Sequence, residues 1–235
     1  MIRDITLKWW RFWVEGDELS IRTGRALALC ALTGLMAGLA AAGFFWLIEN
    51  ANHLLSVSLA NFAPPPAAGE HAMSKTVPSG PPLKWALLAL PALGGLLSAL
   101  LIRWLAPTAT GHGTDAAIYA YHREEGRIPF LVIPMKALAS AIVIGSGGSA
   151  GCEGPVTQIG AGCGSVLAKW LGLNVKERRM LLAAGLAAGV GAIFRAPLAG
   201  AIFAAEIFYS GLDIEYEVMI PSLVASTIAY TVFAL

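Results

Sequence analysis

The chain has 235 residues, of which 57% are hydrophobic, 9% aromatic and 13% charged. Soluble domains carry roughly 25% charged residues, and one of this length needs more polar surface than this composition supplies, so the chain reads as an integral membrane protein. The same figures exclude disorder, collagen and a disulfide-rich secreted scaffold, and a formal net charge of +1 offers no basic stripe for nucleic acid.

The first stretch, residues 1–24, mixes Arg3, Lys8 and Arg11 with Trp9, Trp10, Phe12 and Trp13. Aromatic rings at headgroup depth beside snorkelling cations suit a short cytoplasmic or interfacial helix. Residues 25–48 are uncharged after Arg25, and they are long enough to cross a bilayer core of about 30 Å. Gly34 and Gly38 within them form a small-xxx-small pair, which favours close helix packing. Glu49, Asn50 and His53 are expected to mark the exit. Residues 63–82 are proline-rich and read as a loop, and a second span follows over 83–106. Arg and Lys are concentrated before the first span and sparse in that loop. The positive-inside rule therefore places the N-terminus in the cytoplasm, loop 63–82 outside and the segment after Arg103 inside again.

Beyond Thr110 the apolar segments become short and are broken by glycine and proline. Full spans do not have this pattern. Half-helices do, and non-helical backbone is tolerated at membrane depth only where it is buried in protein or lines a watery cavity. Helices are expected near 176–194, 197–209 and 214–235. The last apolar run reaches Leu235 without polar flanking residues, which points to a truncated chain or half of a larger unit. The expected organisation is thus residues 1–24 followed by an all-α membrane domain over 25–235.

The most informative stretch runs Gly145-Ser-Gly-Gly-Ser-Ala-Gly-Cys-Glu-Gly-Pro155. Pro155 fits the first turn of a helix, and the glycines before it leave amide N–H groups uncovered. Free amides at the positive end of a helix dipole form an anion site without a cationic side chain. Glu153 stands in the middle of that site, and an ionisable residue inside a membrane segment is a functional candidate by default. Its carboxylate could occupy the amides in place of a permeating anion, and protonation would remove this competitor. The alternative is an acid that only stabilises the helix dipole.

The same glycines formally match a dinucleotide fingerprint, but no acid follows about 20 residues on and no strand–helix alternation surrounds them. No Gly-Lys-Ser/Thr follows for a P-loop. Gly111-His112-Gly113-Thr114-Asp115 forms a second glycine loop, opening onto a helix over 116–122. His112 could donate to an anion or cap that helix. The four histidines and three cysteines (Cys30, Cys152, Cys163) show no metal-ligand clustering, and the odd cysteine count offers no disulfide framework. No catalytic constellation is evident, so neither an enzyme nor a cofactor is expected.

At these residues the sequence resembles the CLC-type chloride channels and chloride/proton antiporters. The family's G-[KR]-E-G-P signature corresponds to Gly151-Cys152-Glu153-Gly154-Pro155, followed by Gln158-Ile-Gly160. Its later pattern of a small-residue helix, Ala-Pro-Leu-Ala-Gly and an acid corresponds to 182–191, 196–200 and Glu206. The resemblance covers roughly residues 111–206.

It implies an all-helical fold of full and broken helices, the first inverted repeat of a CLC-type pore domain in the plasma (inner) membrane. It implies chloride as the transported ligand, Glu153 as gating glutamate, and anion contacts at His112, Gly113, Gly151, Cys152, Gly154 and Pro155. Glu206 would stand on a possible proton path, or serve as a structural acid at a buried helix end. Ile207 occupies the place where antiporters often carry an inward-facing proton glutamate, which favours channel-like conduction over antiport. The chain departs further from the family where His112 replaces a serine, Thr114-Asp115 replace isoleucine-proline, and Cys152 replaces a basic residue. Only the first of two homologous halves is matched. The resemblance therefore implies a missing second half, and a homodimer formed through residues 197–235. Transport of another anion, and a non-conducting half that needs a partner chain, are the other readings.

Overall fold

The computed structural model describes residues 19–63, 80–208 and 216–235, and there it consists of helices and the turns between them. Residues 1–18 of the expected helix over 1–24 and most of loop 63–82 lie outside the described residues, and residues 19–24 form the start of the first long helix. Helix α1, Leu19–Asn52, runs directly into a π-helical stretch, His53–Leu59. The helix thus continues past Glu49, Asn50 and His53, the residues expected to mark the membrane exit. Polar residues do not break a helix as proline does, and apolar Leu54, Leu55, Val57 and Leu59 carry it onward. The turn comes at Asn61, whose φ of 51° is left-handed, a conformation asparagine tolerates.

Helix α2, Lys84–Leu105, starts where α1 ends, with the Leu83 amide donating to the Ala60 carbonyl at 2.9 Å. Gly94 and Ser98 are its buried residues, while Leu88, Leu93, Leu96 and Leu97 are exposed. Such an apolar outer face suits lipid rather than water. α1 with its extension (Gly24–Leu59) and α2 are long and apolar enough to cross a membrane. The helices that follow are shorter: α3 Thr114–Arg123, α4 Val132–Gly145, α5 Glu153–Trp170, α6 Val175–Ile193, α7 Pro197–Ile207 and α8 Tyr216–Ala234. At 1.5 Å per residue, the 10, 14 and 11 residues of α3, α4 and α7 reach only about 15–21 Å. These are the half-helices expected from the glycine and proline breaks.

Helix α6 is the centre of the packing. Every residue from Leu181 to Ala192 is buried, and α6 packs against α1, α5, α7 and α8. Its sequence is mostly alanine, glycine and leucine, so neighbouring backbones come close. A methyl group on Gly160 would strike the Gly185 carbonyl, one on Gly185 would strike the Gly160 carbonyl, and one on Gly164 would strike the Leu181 carbonyl. Gly34 and Gly38 serve α1 in the same way, against the backbones of Ala225 and Ala229 in α8. Within lipid, dispersion between closely approaching small residues drives association, because the solvent supplies no hydrophobic gain.

The start of α6 is fixed by a capping box, with the Glu177 amide donating to Asn174 Oδ1 at 2.9 Å and the Asn174 amide to Glu177 Oε2 at 3.3 Å. Glu177 also pairs with Arg25 at 2.5 Å, which joins the start of α1 to the start of α6 at one end of the bundle.

Candidate functional site

Helix α5 begins at Glu153, with Cys152 as its N-cap and Pro155 in its first turn. The Val156 amide donates to the Cys152 carbonyl at 3.0 Å. The Glu153 and Gly154 amides therefore belong to the first turn, where a helix has no carbonyl four residues back to accept them. The chain reaches this point from α4 by folding back on itself. Gly147 takes a left-handed φ of 87°, and the Gly148 amide donates to the Val143 carbonyl at 2.9 Å.

The second glycine loop opens α3. Gly111 and Gly113 have φ of 82° and 111°, values that a residue with a Cβ rarely adopts. Gly113 is the N-cap, and it receives no side-chain cap hydrogen bond. The capping alternative for His112 is thereby corrected: a glycine with its own backbone freedom fills that position. The His112 ring instead lies with Nδ1 3.2 Å from Thr114 Oγ1.

The structure brings the two loops together. A methyl group on Gly113 would strike the Gly154 carbonyl, and one on Gly154 would meet the His112 carbonyl and, at 2.7 Å, its Nδ1. The starts of α3 and α5 thus converge, and only glycine allows that approach. Gly113, Gly154 and Pro155 are buried, Cys152 is half-buried, and His112, Gly151 and Glu153 are exposed. Thr157 closes the first turn of α5 by donating its hydroxyl to the Glu153 carbonyl at 2.7 Å. Glu206 stands elsewhere, exposed near the end of α7, which packs on α6 and α8. Ile207 follows it, half-buried.

Two residues of the site were not singled out for a role by the sequence reading. Lys136 is 3% exposed, and its Nζ donates to the carbonyls of Gly111 at 2.6 Å and Ala109 at 3.0 Å. It is the one charged residue between Arg127 and Glu153, and the rule that flagged Glu153 would also have flagged it. Gln158, 1% exposed, donates Nε2 to the Thr108 carbonyl at 3.2 Å. Both hold the segment leading into Gly113 against α4 and α5. Among the described residues no group of three or more His, Cys, Asp or Glu could hold a metal ion.

A sequence profile described as "Voltage gated chloride channel" matches residues 94–235. The chain belongs to this family. The putative chloride channel protein ClcB-like of Ralstonia nicotianae is 33% identical over 132 residues, which is 54% of this chain and 31% of that protein. Two solved structures share the fold. A CLC-type fluoride/proton antiporter aligns with a TM-score of 0.71 at 22% identity, covering 93% of this chain and 48% of that one. A slow cyanobacterial Cl⁻/H⁺ antiporter aligns at 0.64 and 24% identity, covering 88% and 46%. The all-helical architecture with broken helices is thus that of CLC antiporters, and the chain spans less than half the length of these relatives.

Proposed function

We propose that the converging starts of α3 and α5 form the anion-holding part of a transmembrane chloride pathway gated by Glu153. The contact between Gly113 and Gly154 carries this reading. It aims two helix N-termini at one place, and helix dipoles with unbonded amides favour an anion there. The amides of Gly151, Cys152 and Gly154 with the His112 ring would hold the ion, and Pro155 would fix the first turn that presents them. Lys136 adds positive charge behind the Gly111–Gly113 loop, which raises the local potential without placing an ammonium in the path. An anion held by dipoles and amides binds loosely enough to leave again, as conduction requires.

Glu153 is exposed at the mouth of this arrangement, where its carboxylate competes with the anion for the same amides. A proton from solution neutralises it, the amides are released, and the anion enters. Conduction is channel-like because Ile207 supplies no carboxylate after Glu206 to carry the proton onward. Glu206 is the remaining acid for a proton path if coupling occurs. The chain acts as one half of the pathway; a second half, which for this chain by itself is another copy of it, completes the ion site, and residues 197–235 join two subunits. It sits in the plasma (inner) membrane with its N-terminus and its Arg25–Glu177 end in the cytoplasm and loop 63–82 outside.

Chloride efflux from liposomes, with external pH recorded simultaneously, tests this reading. Efflux without linked proton movement is expected, and competition by fluoride or nitrate sets the ion preference. Linked proton movement would assign antiport instead. Efflux that appears only after a second half is co-expressed would make this chain a non-conducting half by itself.

A further inference from the structure

Away from the glycine loops, at the opposite end of α5, lies a cavity of about 880 Å³ whose lining includes Arg123, Arg127, Lys169 and Arg178 together with Glu124 and Glu125. Four cations against two carboxylates leave two positive charges in excess. Glu125 is engaged, pairing with Arg127 at 2.8 Å. Arg178 is held by its terminal nitrogens, one on the Leu173 carbonyl at 3.2 Å and one on the Glu125 carbonyl at 3.5 Å, while its buried Nε has no acceptor. The side chains of Arg123 and Lys169 are exposed and make no hydrogen bond or ion pair among the described residues. A buried N–H without an acceptor beside two unpaired cations calls for an anionic oxygen ligand.

The position of the cavity indicates the source of that ligand. Arg178 follows Glu177, whose pairing with Arg25 marks the layer of helix ends where α1 begins. Phe130 and Trp170, 60% and 66% exposed with ring centroids 6.4 Å apart, directly follow Pro129 and Lys169 of the lining in sequence. Exposed aromatic rings beside cations at a helix-end layer are the mark of headgroup depth. We propose that this cavity binds the phosphate group of an anionic membrane lipid, with the acyl chains running past Phe130 and Trp170. Basic pockets between helices at the cytoplasmic surface hold such headgroups.

The chain purified in mild detergent is offered phosphatidylglycerol, phosphatidylcholine or inorganic phosphate. Retained lipid is read by native mass spectrometry, and the unfolding midpoint is measured alongside. Phosphatidylglycerol is expected to be retained and to raise the midpoint, with phosphatidylcholine released. A double variant, Arg123→Gln with Lys169→Gln, should weaken phosphatidylglycerol retention about tenfold while leaving the lipid-free midpoint unchanged, since neither side chain holds structure. Arg178 is left intact because it supports two backbone carbonyls. A midpoint raised equally by inorganic phosphate, and lost in the double variant, would keep the phosphate site and assign a soluble source. Equal retention of the two lipids, or phosphatidylglycerol retention unchanged in the double variant, would overturn the proposal.

Discussion

The ammonium of Lys136 donates to the carbonyl of Gly111 at 2.6 Å from a position only 3% exposed. A buried cation of this kind is expensive unless its hydrogen bonds are made, and here both acceptors belong to the segment that enters Gly113. The charge is therefore tied to that loop by its two hydrogen bonds.

Lys136→Met removes both hydrogen bonds and leaves the Ala109 and Gly111 carbonyls without their donor. The expected loss of stability is about 1–3 kcal/mol, read as a lowered unfolding midpoint in detergent. Anion flux should fall further than the stability loss explains, because the loop no longer holds Gly113 against Gly154. Flux unchanged in a folded Lys136→Met protein would remove Lys136 from the site.

Gly113→Ala meets two obstacles at once, a φ of 111° and the Gly154 carbonyl in the space its methyl would need. Backbone strain of this type costs about 1–3 kcal/mol, and the steric conflict drives the starts of α3 and α5 apart. Gly154→Ala pushes on the same contact from the other side, through His112. Both variants should lose most anion flux. Gly172→Ala is the control: its φ of 63° is also positive, but nothing lies within 4 Å of the added methyl, so its flux should be retained.

Along α1, Gly38 and Gly43 make a matched pair. A Cβ on Gly38 would stand 2.9 Å from the Ala229 Cα, whereas one on Gly43 meets nothing within 4 Å. Gly38→Val should separate α1 from α8 and cost about 1–3 kcal/mol or more through overpacking. Gly43→Val should leave the unfolding midpoint close to that of the parent. Equal midpoints for the two variants would contradict the packing of α1 on α8.

Much of this arrangement could be read from residues alone, and the reasons are physical. Gly34 and Gly38 announced a close helix contact because only small residues permit one, yet nothing local names Ala225 and Ala229 as the partners. The breaks at Gly111–Gly113 and Gly145–Pro155 were visible because glycine and proline interrupt a helix wherever they cluster. That the two loops meet was not visible, since the contact joins residues far apart in sequence and depends on how α4 folds back onto α5. The continuation of α1 to Leu59 has no mark in the polar residues Glu49, Asn50 and His53, since a helix can outrun the apolar layer it crosses. Lys136 was legible in principle as a lone charge in an apolar segment, but its acceptors, backbone carbonyls in a distant loop, leave no mark in sequence.

The most direct test of the central claim is chloride efflux from liposomes as a function of external pH, for the parent protein and Glu153→Gln. The glutamine keeps the size of the side chain and removes the charge that the proposed gating requires. Gating by Glu153 predicts that parent efflux rises as the pH falls, and that Glu153→Gln is open across the range with a flattened pH profile. Efflux from Glu153→Gln with the parent's magnitude and the parent's pH dependence would contradict gating by this carboxylate.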